Sequence, residues 1–146
     1  DSYGSRGLGD VYKRQMKMSE RLNLYKDRQR NNLSENAYGA IVRLRMDNSH
    51  PLGFGYDKEY LSLKLRNRRY AYLESGWNVG TTQDSTSIVS GFVGFKAKQN
   101  FRESLVFGVE EIGRGSIVYM VDNPLFRGFW YNGKLLFGNA VFLVGS

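Results

Sequence analysis

The last third of the chain constrains the fold most. Leu105 to Ile112 is one apolar run, Ile117 to Val121 is a second, and Gly113-Arg114-Gly115 lies between them. Two strand-length runs joined by a short Gly-containing link specify an antiparallel hairpin, with Gly113 and Gly115 as its turn residues. Asn123-Pro124 then reads as a helix N-cap followed by Pro at the first helical position. Leu125, Phe129 and Trp130 would form one face of that turn. A final helix is expected to start near Asn132 and run through Leu135, Leu136, Ala140 and Leu143. It is apolar almost all round, which predicts burial.

The earlier chain is organised by shorter signals. Ile41 to Met46 alternates as a strand, with Val42, Leu44 and Met46 on one face and Arg43 and Arg45 on the other. Asp47 to Gly55 is a loop by its Asn, Pro and Gly content. Tyr60 to Leu65 alternates again, Tyr70 to Leu73 is a short apolar run, Ile88 to Val93 is another strand, and Lys96 to Phe101 is a helical turn. Ser19 to about Asn31 reads as a polar helix capped by Ser19, with Leu22 and Tyr25 on one face. Asp1 to Gln15 has neither periodicity, and its ending GDVYKRQ resembles translated adapter sequence. It is set aside as a non-native leader, leaving residues 16–146 as one partial domain.

Of the 146 residues, 41% are hydrophobic, enough for a real core, and the ten Tyr and nine Phe give that core an aromatic flavour. With no Cys, disulfides, thiolate ligands and a cysteine nucleophile are excluded together. The net charge is +7, and +6 without the three basic and two acidic residues of the leader. Lys64, Arg66, Arg68 and Arg69, followed by Tyr70 and Tyr72, form the densest basic cluster. Basic residues among aromatics can mark nucleic-acid binding. The alternation of Leu61, Leu63 and Leu65 with Ser62, Lys64 and Arg66 favours a solvated strand end instead.

Catalytic equipment is sparse. His50, the lone histidine, precedes Pro51 in a loop and reads as a turn or capping residue. A zinc peptidase site needs three protein ligands and an open position, so no metal site is expected here. Glu110 and Glu111 are adjacent and face opposite sides of a strand. No phosphate loop or nucleophile elbow occurs.

Ser104 to Gly145 (SLVFGVEEIGRGSIVYMVDNPLFRGFWYNGKLLFGNAVFLVG) is similar to the C-terminal segment of bacterial carboxypeptidase A-like zinc peptidases. In that family an appended domain is related to class I glutamine amidotransferases. Tyr38 to Asp57 (YGAIVRLRMDNSHPLGFGYD) and Tyr70 to Gly80 (YAYLESGWNVG) resemble the same family in the same order. The resemblance covers about Met18 to Gly145. It implies an α/β fold, the later portion of a flavodoxin-like sandwich with an antiparallel hairpin and a buried C-terminal helix. It further implies a non-catalytic accessory piece of a secreted metallocarboxypeptidase. The zinc, held by two His and one Glu, would lie in an upstream catalytic domain, the expected partner, together with the peptide substrate. Export to the periplasm, outer envelope or medium follows from the family alone. In active amidotransferases a late strand ends in His-Pro-Glu. Here Asn123 stands where the His would be, Pro124 is retained, and Leu125 replaces the Glu, so the triad position is degenerate. Two alternatives remain open: a small basic nucleic-acid-binding module, and a stand-alone sugar- or peptide-binding β-rich domain. An aromatic-lined cleft containing Trp77 or Trp130 would favour the latter.

Overall fold

The computed structural model describes residues 24–83 and 87–145. The chain divides into two compact units between Asn32 and Leu33. A 3-10 turn at Tyr25–Asp27 leads into helix α1 (Arg28–Glu35), which spans that boundary, and the Arg28 guanidinium lies 4.8 Å from the centre of the Tyr25 ring. Within the described residues, helical structure of the segment expected from Ser19 to about Asn31 runs from Tyr25 and continues to Glu35. Its proposed cap, Ser19, and Leu22 lie outside the described residues, as does the leader.

The second unit is built on a sheet of six strands: β1 (Ala37–Met46), β2 (Glu59–Lys64), β3 (Trp77–Thr82), β4 (Ile88–Val93), β5 (Ser104–Ile112) and β6 (Gly115–Met120). Their order is β2-β1-β3-β5-β6. Strand β1 carries β2 along one edge and divides its other edge, pairing with β4 through Ala37–Val42 and with β3 at Arg45 and Met46. A sheet forked in this way curls into a half-barrel. The fork needs close backbone approach: a Cβ on Gly91 would sit 2.7 Å from Ala40 Cα, and both Gly39 and Gly91 have positive φ, at 79° and 91°. Neither place suits a larger residue.

Every pairing is antiparallel. This overturns the expected flavodoxin-like α/β sandwich, whose sheet is parallel. The connections explain why. A parallel pair needs a crossover of about a dozen residues or more, usually helical. Here β5 turns into β6 through Gly113 and Arg114, and the link from β1 to β2 holds only a 3-10 turn, Pro51–Gly53. The helices α2 (Phe95–Asn100) and α3 (Lys134–Phe142) are too short to cover both faces of a doubly wound sheet.

The hairpin itself forms as the two runs predict, with Val109 opposite Val118 and Ile112 opposite Gly115. Strand β5, which lies between β3 and β6, is buried from Ser104 to Val109, and Tyr70 bridges to Leu105. Its continuous apolar run fits burial on both faces. The concave side of the half-barrel holds Val42 and Leu44 of β1, Tyr60 of β2, Val79 of β3 and Phe107 of β5, with Leu136 of α3 packed beneath them.

Two expectations for the C-terminal region need correction. Helix α3 is not buried all round: Leu136 and Asn139 are inside, while Val141 is 56% and Phe142 is 76% exposed. No helix begins at Pro124. The Asn123 Oδ1 accepts from the Leu125 amide at 2.9 Å, closing a turn, and a 3-10 turn follows at Phe126–Gly128. Arg127 inside that turn has φ of 50°, which stops helical propagation there. Strand β3 was not apparent from the sequence, because WNVGTT shows little alternation.

Candidate functional site

Strand β2 brings the most unusual chemistry into the interior. The leucine alternation sets Leu61, Leu63 and Leu65 against a solvated face of Ser62, Lys64 and Arg66. The structure has the faces reversed. Tyr60, Ser62 and Lys64 point inward, and Leu61 is 40% exposed. Lys64 is 1% exposed, with Nζ 3.1 Å from Asp122 Oδ1 and 5.1 Å from the centre of the Phe101 ring. Ser62 Oγ donates to Asp122 Oδ2 at 2.9 Å. Period-two alternation shows that a strand has two faces but not which one is buried. Here the decision is made by Asp122, 58 residues from Lys64 in sequence and two residues beyond the end of β6. The two ends of the sheet are thus clasped through buried side chains.

This trio resembles catalytic equipment only superficially. A serine and a lysine two residues apart on a strand could act as nucleophile and base. Lys64 Nζ is engaged by the Asp122 carboxylate, however, and none of the three residues is among those that line the clefts beside Tyr72 and beside Trp130. The clasp is structural. Removing Lys64 also shrinks the basic cluster to Arg66, Arg68 and Arg69, which remain exposed near Tyr70 and Tyr72. The hydroxyl of Tyr72 is turned back to the Thr82 carbonyl.

A second polar cluster joins parts of the chain that are distant in sequence. The Tyr56 hydroxyl donates to the Asn132 carbonyl and accepts from the Leu136 amide at 2.8 Å. Asn139 Nδ2 donates to the carbonyls of Leu52 at 3.1 Å and Phe54 at 2.7 Å. Helix α3 is therefore fastened to the loop after β1 by two side chains. His50 caps the 3-10 turn of that loop, Nδ1 accepting from the Leu52 amide at 3.0 Å, and its ring lies 5.9 Å from that of Trp77. Burial lowers the His50 pKa below its usual 6.5, opposed by the nearby carboxylates of Asp47 and Glu111. The capping bond needs Nδ1 unprotonated. A depressed pKa in the fold means that the unfolded chain binds the proton more readily. Stability should therefore be complete above about pH 6.5 and decline as pH falls below it. Urea midpoints at pH 7.5 and 5.5 should show this slope in the native chain and a weaker one in His50→Asn.

Glu110 receives hydrogen bonds from Ser75 Oγ at 2.8 Å and Tyr119 Oη at 2.9 Å, which hold its carboxyl below the usual range. Glu111 is exposed and pairs across the sheet with Ser116. They form no carboxylate pair. Asn123, Pro124 and Leu125 form a turn; Pro124 is buried under Gly133, and the hairpin glycines Gly113 and Gly115 stand in open space. Among the described residues, no group of three or more His, Asp or Glu side chains could hold a metal ion. No helix among them is long and apolar enough to cross a membrane.

Two clefts stand out. One of about 600 Å³ is polar and lined by Arg45, Asp47, Lys58, Tyr72 and Asn78, among others. Its carboxylate, Asp47, is already engaged by the amide and hydroxyl of Ser49. The other, of about 480 Å³, lies between the outer face of β1–β2 and residues 130–132, and Trp130 and Tyr131 contribute to its walls. Compared with protein-family models, with curated proteins and with solved structures, the chain matches none.

Proposed function

We propose that this chain is a non-catalytic accessory segment of a larger exported enzyme of the zinc carboxypeptidase type. The observation that carries this reading is the meeting of the three blocks that resemble that family. Tyr38 to Asp57 supplies β1 and the loop with His50, Leu52, Phe54 and Tyr56. Tyr70 to Gly80 supplies Trp77, and Ser104 to Gly145 supplies the hairpin and α3. The bonds from Tyr56 and Asn139, and the His50–Trp77 contact, interlock them. Blocks that recur in one order are expected to pack as one unit, and these do. The reading keeps the peptidase resemblance without a flavodoxin-like core.

Its role would be to hold or place a catalytic domain. The exposed Val141 and Phe142 of α3 support this, since apolar side chains grouped on one short helix favour a covering partner. Zinc, bound by two His and one Glu, would belong to the catalytic domain. The test is enzymatic. The purified chain, supplied with zinc, should release no C-terminal residue from peptides. A polypeptide extended upstream from the same genomic locus should do so, and should carry HxxE and a later His. Carboxypeptidase activity in the chain alone, or an upstream region without those ligands, would contradict the proposal.

A further inference from the structure

We infer that the cleft beside Trp130 is a binding site for a neutral saccharide. Its lining is small and mixed. Arg43 and Glu59 project from the outer face of β1–β2, with Leu61 directly opposite Arg43. Trp130, Tyr131 and Asn132 form the other side. Tyr131 is 73% exposed. Lys134, which is not among the residues lining the cleft, places its Nζ 3.8 Å from the centre of the Tyr131 ring. At the base, the Trp130 indole N–H faces the Tyr60 hydroxyl, yet neither closes a well-formed hydrogen bond. The volume of about 480 Å³ lies within the range for small-molecule sites.

Charge and edge geometry select the ligand class. Arg43 Nε lies 3.4 Å from Glu59 Oε2, so the rim offers donors and acceptors with no net charge. Arg43 disfavours a cation among the aromatic rings, and Glu59 disfavours an anion. An extended peptide would need the backbone acceptors along the free edge of β2. Asn132 Nδ2 already donates to the Leu61 carbonyl there, at 2.9 Å. A sugar ring needs none of them. It presents an apolar C–H face to an aromatic wall and a ring of hydroxyls, each both donor and acceptor, to groups such as Arg43, Glu59 and Asn132.

This inference is independent of the accessory reading, which survives its failure. Trp77→Phe leaves Trp130 as the one tryptophan, and its fluorescence is the readout. The probes are cellotetraose, chitotetraose and maltotetraose, with an uncharged tetrapeptide as the comparison. At least one saccharide should produce a saturable change, and Tyr131→Ala should weaken it about tenfold or more, equivalent to roughly 1.4 kcal/mol. Leu61→Arg, which fills the cleft from an exposed position, should abolish it. Both variants should retain the parent circular dichroism spectrum. The inference is overturned if no saccharide changes the signal up to a concentration of about 10 mM, corresponding to binding weaker than roughly 3 kcal/mol. It is equally overturned if binding ignores both substitutions, or if the tetrapeptide alone binds.

Discussion

Asp122→Ala should destabilise the fold by roughly 3–5 kcal/mol, the cost of leaving a buried charge without its partner. Lys64 has no route to solvent at 1% exposure, and Ser62 would lose its acceptor at the same time. Asp122→Asn should be nearly as damaging, because the amide can still accept from Ser62 but cannot neutralise the ammonium. The double substitution Lys64→Met with Asp122→Leu should recover most of the loss, since replacing both ions by apolar groups of similar size is often neutral or stabilising. Urea unfolding with an unchanged m-value reads all of these directly. A mild effect of Asp122→Ala, below about 1 kcal/mol, would place the pair in an exposed setting rather than a buried one.

Gly133→Ala should be comparably severe, for a different reason. Gly133 packs onto Pro124, and a Cβ there would lie 2.6 Å from the Pro124 carbonyl carbon and 2.7 Å from its Cα. Both are backbone atoms with no rotamer to relieve the overlap. Overpacking of this kind costs about 1–3 kcal/mol or more. Because Gly133 immediately precedes α3, the displaced helix would also strain the bonds from Tyr56 and Asn139. Gly138 provides the control. It lies inside α3, and a Cβ added to it would meet nothing within 4 Å, so Gly138→Ala should stabilise by up to about 1 kcal/mol through helix propensity. Equal effects at the two glycines would remove the steric account.

The parts legible from sequence were those decided locally. The β5–β6 hairpin follows from two apolar runs and a Gly turn, and Ile88–Val93 is the strand that the sequence suggests. The arrangement of the sheet was not legible in the same way, because apolar alternation does not say whether neighbouring strands run parallel or antiparallel. The family resemblance supplied a parallel expectation that the short connections overrule. The reversal of β2 has a related origin. Three leucines outweigh one lysine in any local pattern, whereas the burial of Lys64 depends on Asp122 far along the chain. Tyr56 and Asn139 were missed for the same reason: each acts on backbone groups about eighty residues away. Among the candidate residues, His50 could be read correctly as a cap, since the Pro after it announces a turn. Asn123 does not cap a helix as the sequence suggests; it closes a turn, and the positive φ of Arg127 that prevents the helix is not encoded in a local signal.

The half-barrel is tied together inside, from Lys64 of β2 to Asp122 just beyond β6. Solution NMR tests it most directly, through contacts between backbone Hα protons of facing strands and between side chains across the clasp. The predicted result is antiparallel Hα–Hα contacts joining Ala40–Arg45 to Glu59–Lys64, together with contacts from the Lys64 side chain to the Phe101 ring and from Ser62 to Asp122. A parallel pattern between those strands, or a Lys64 side chain exchanging freely with water and touching neither residue, would contradict it.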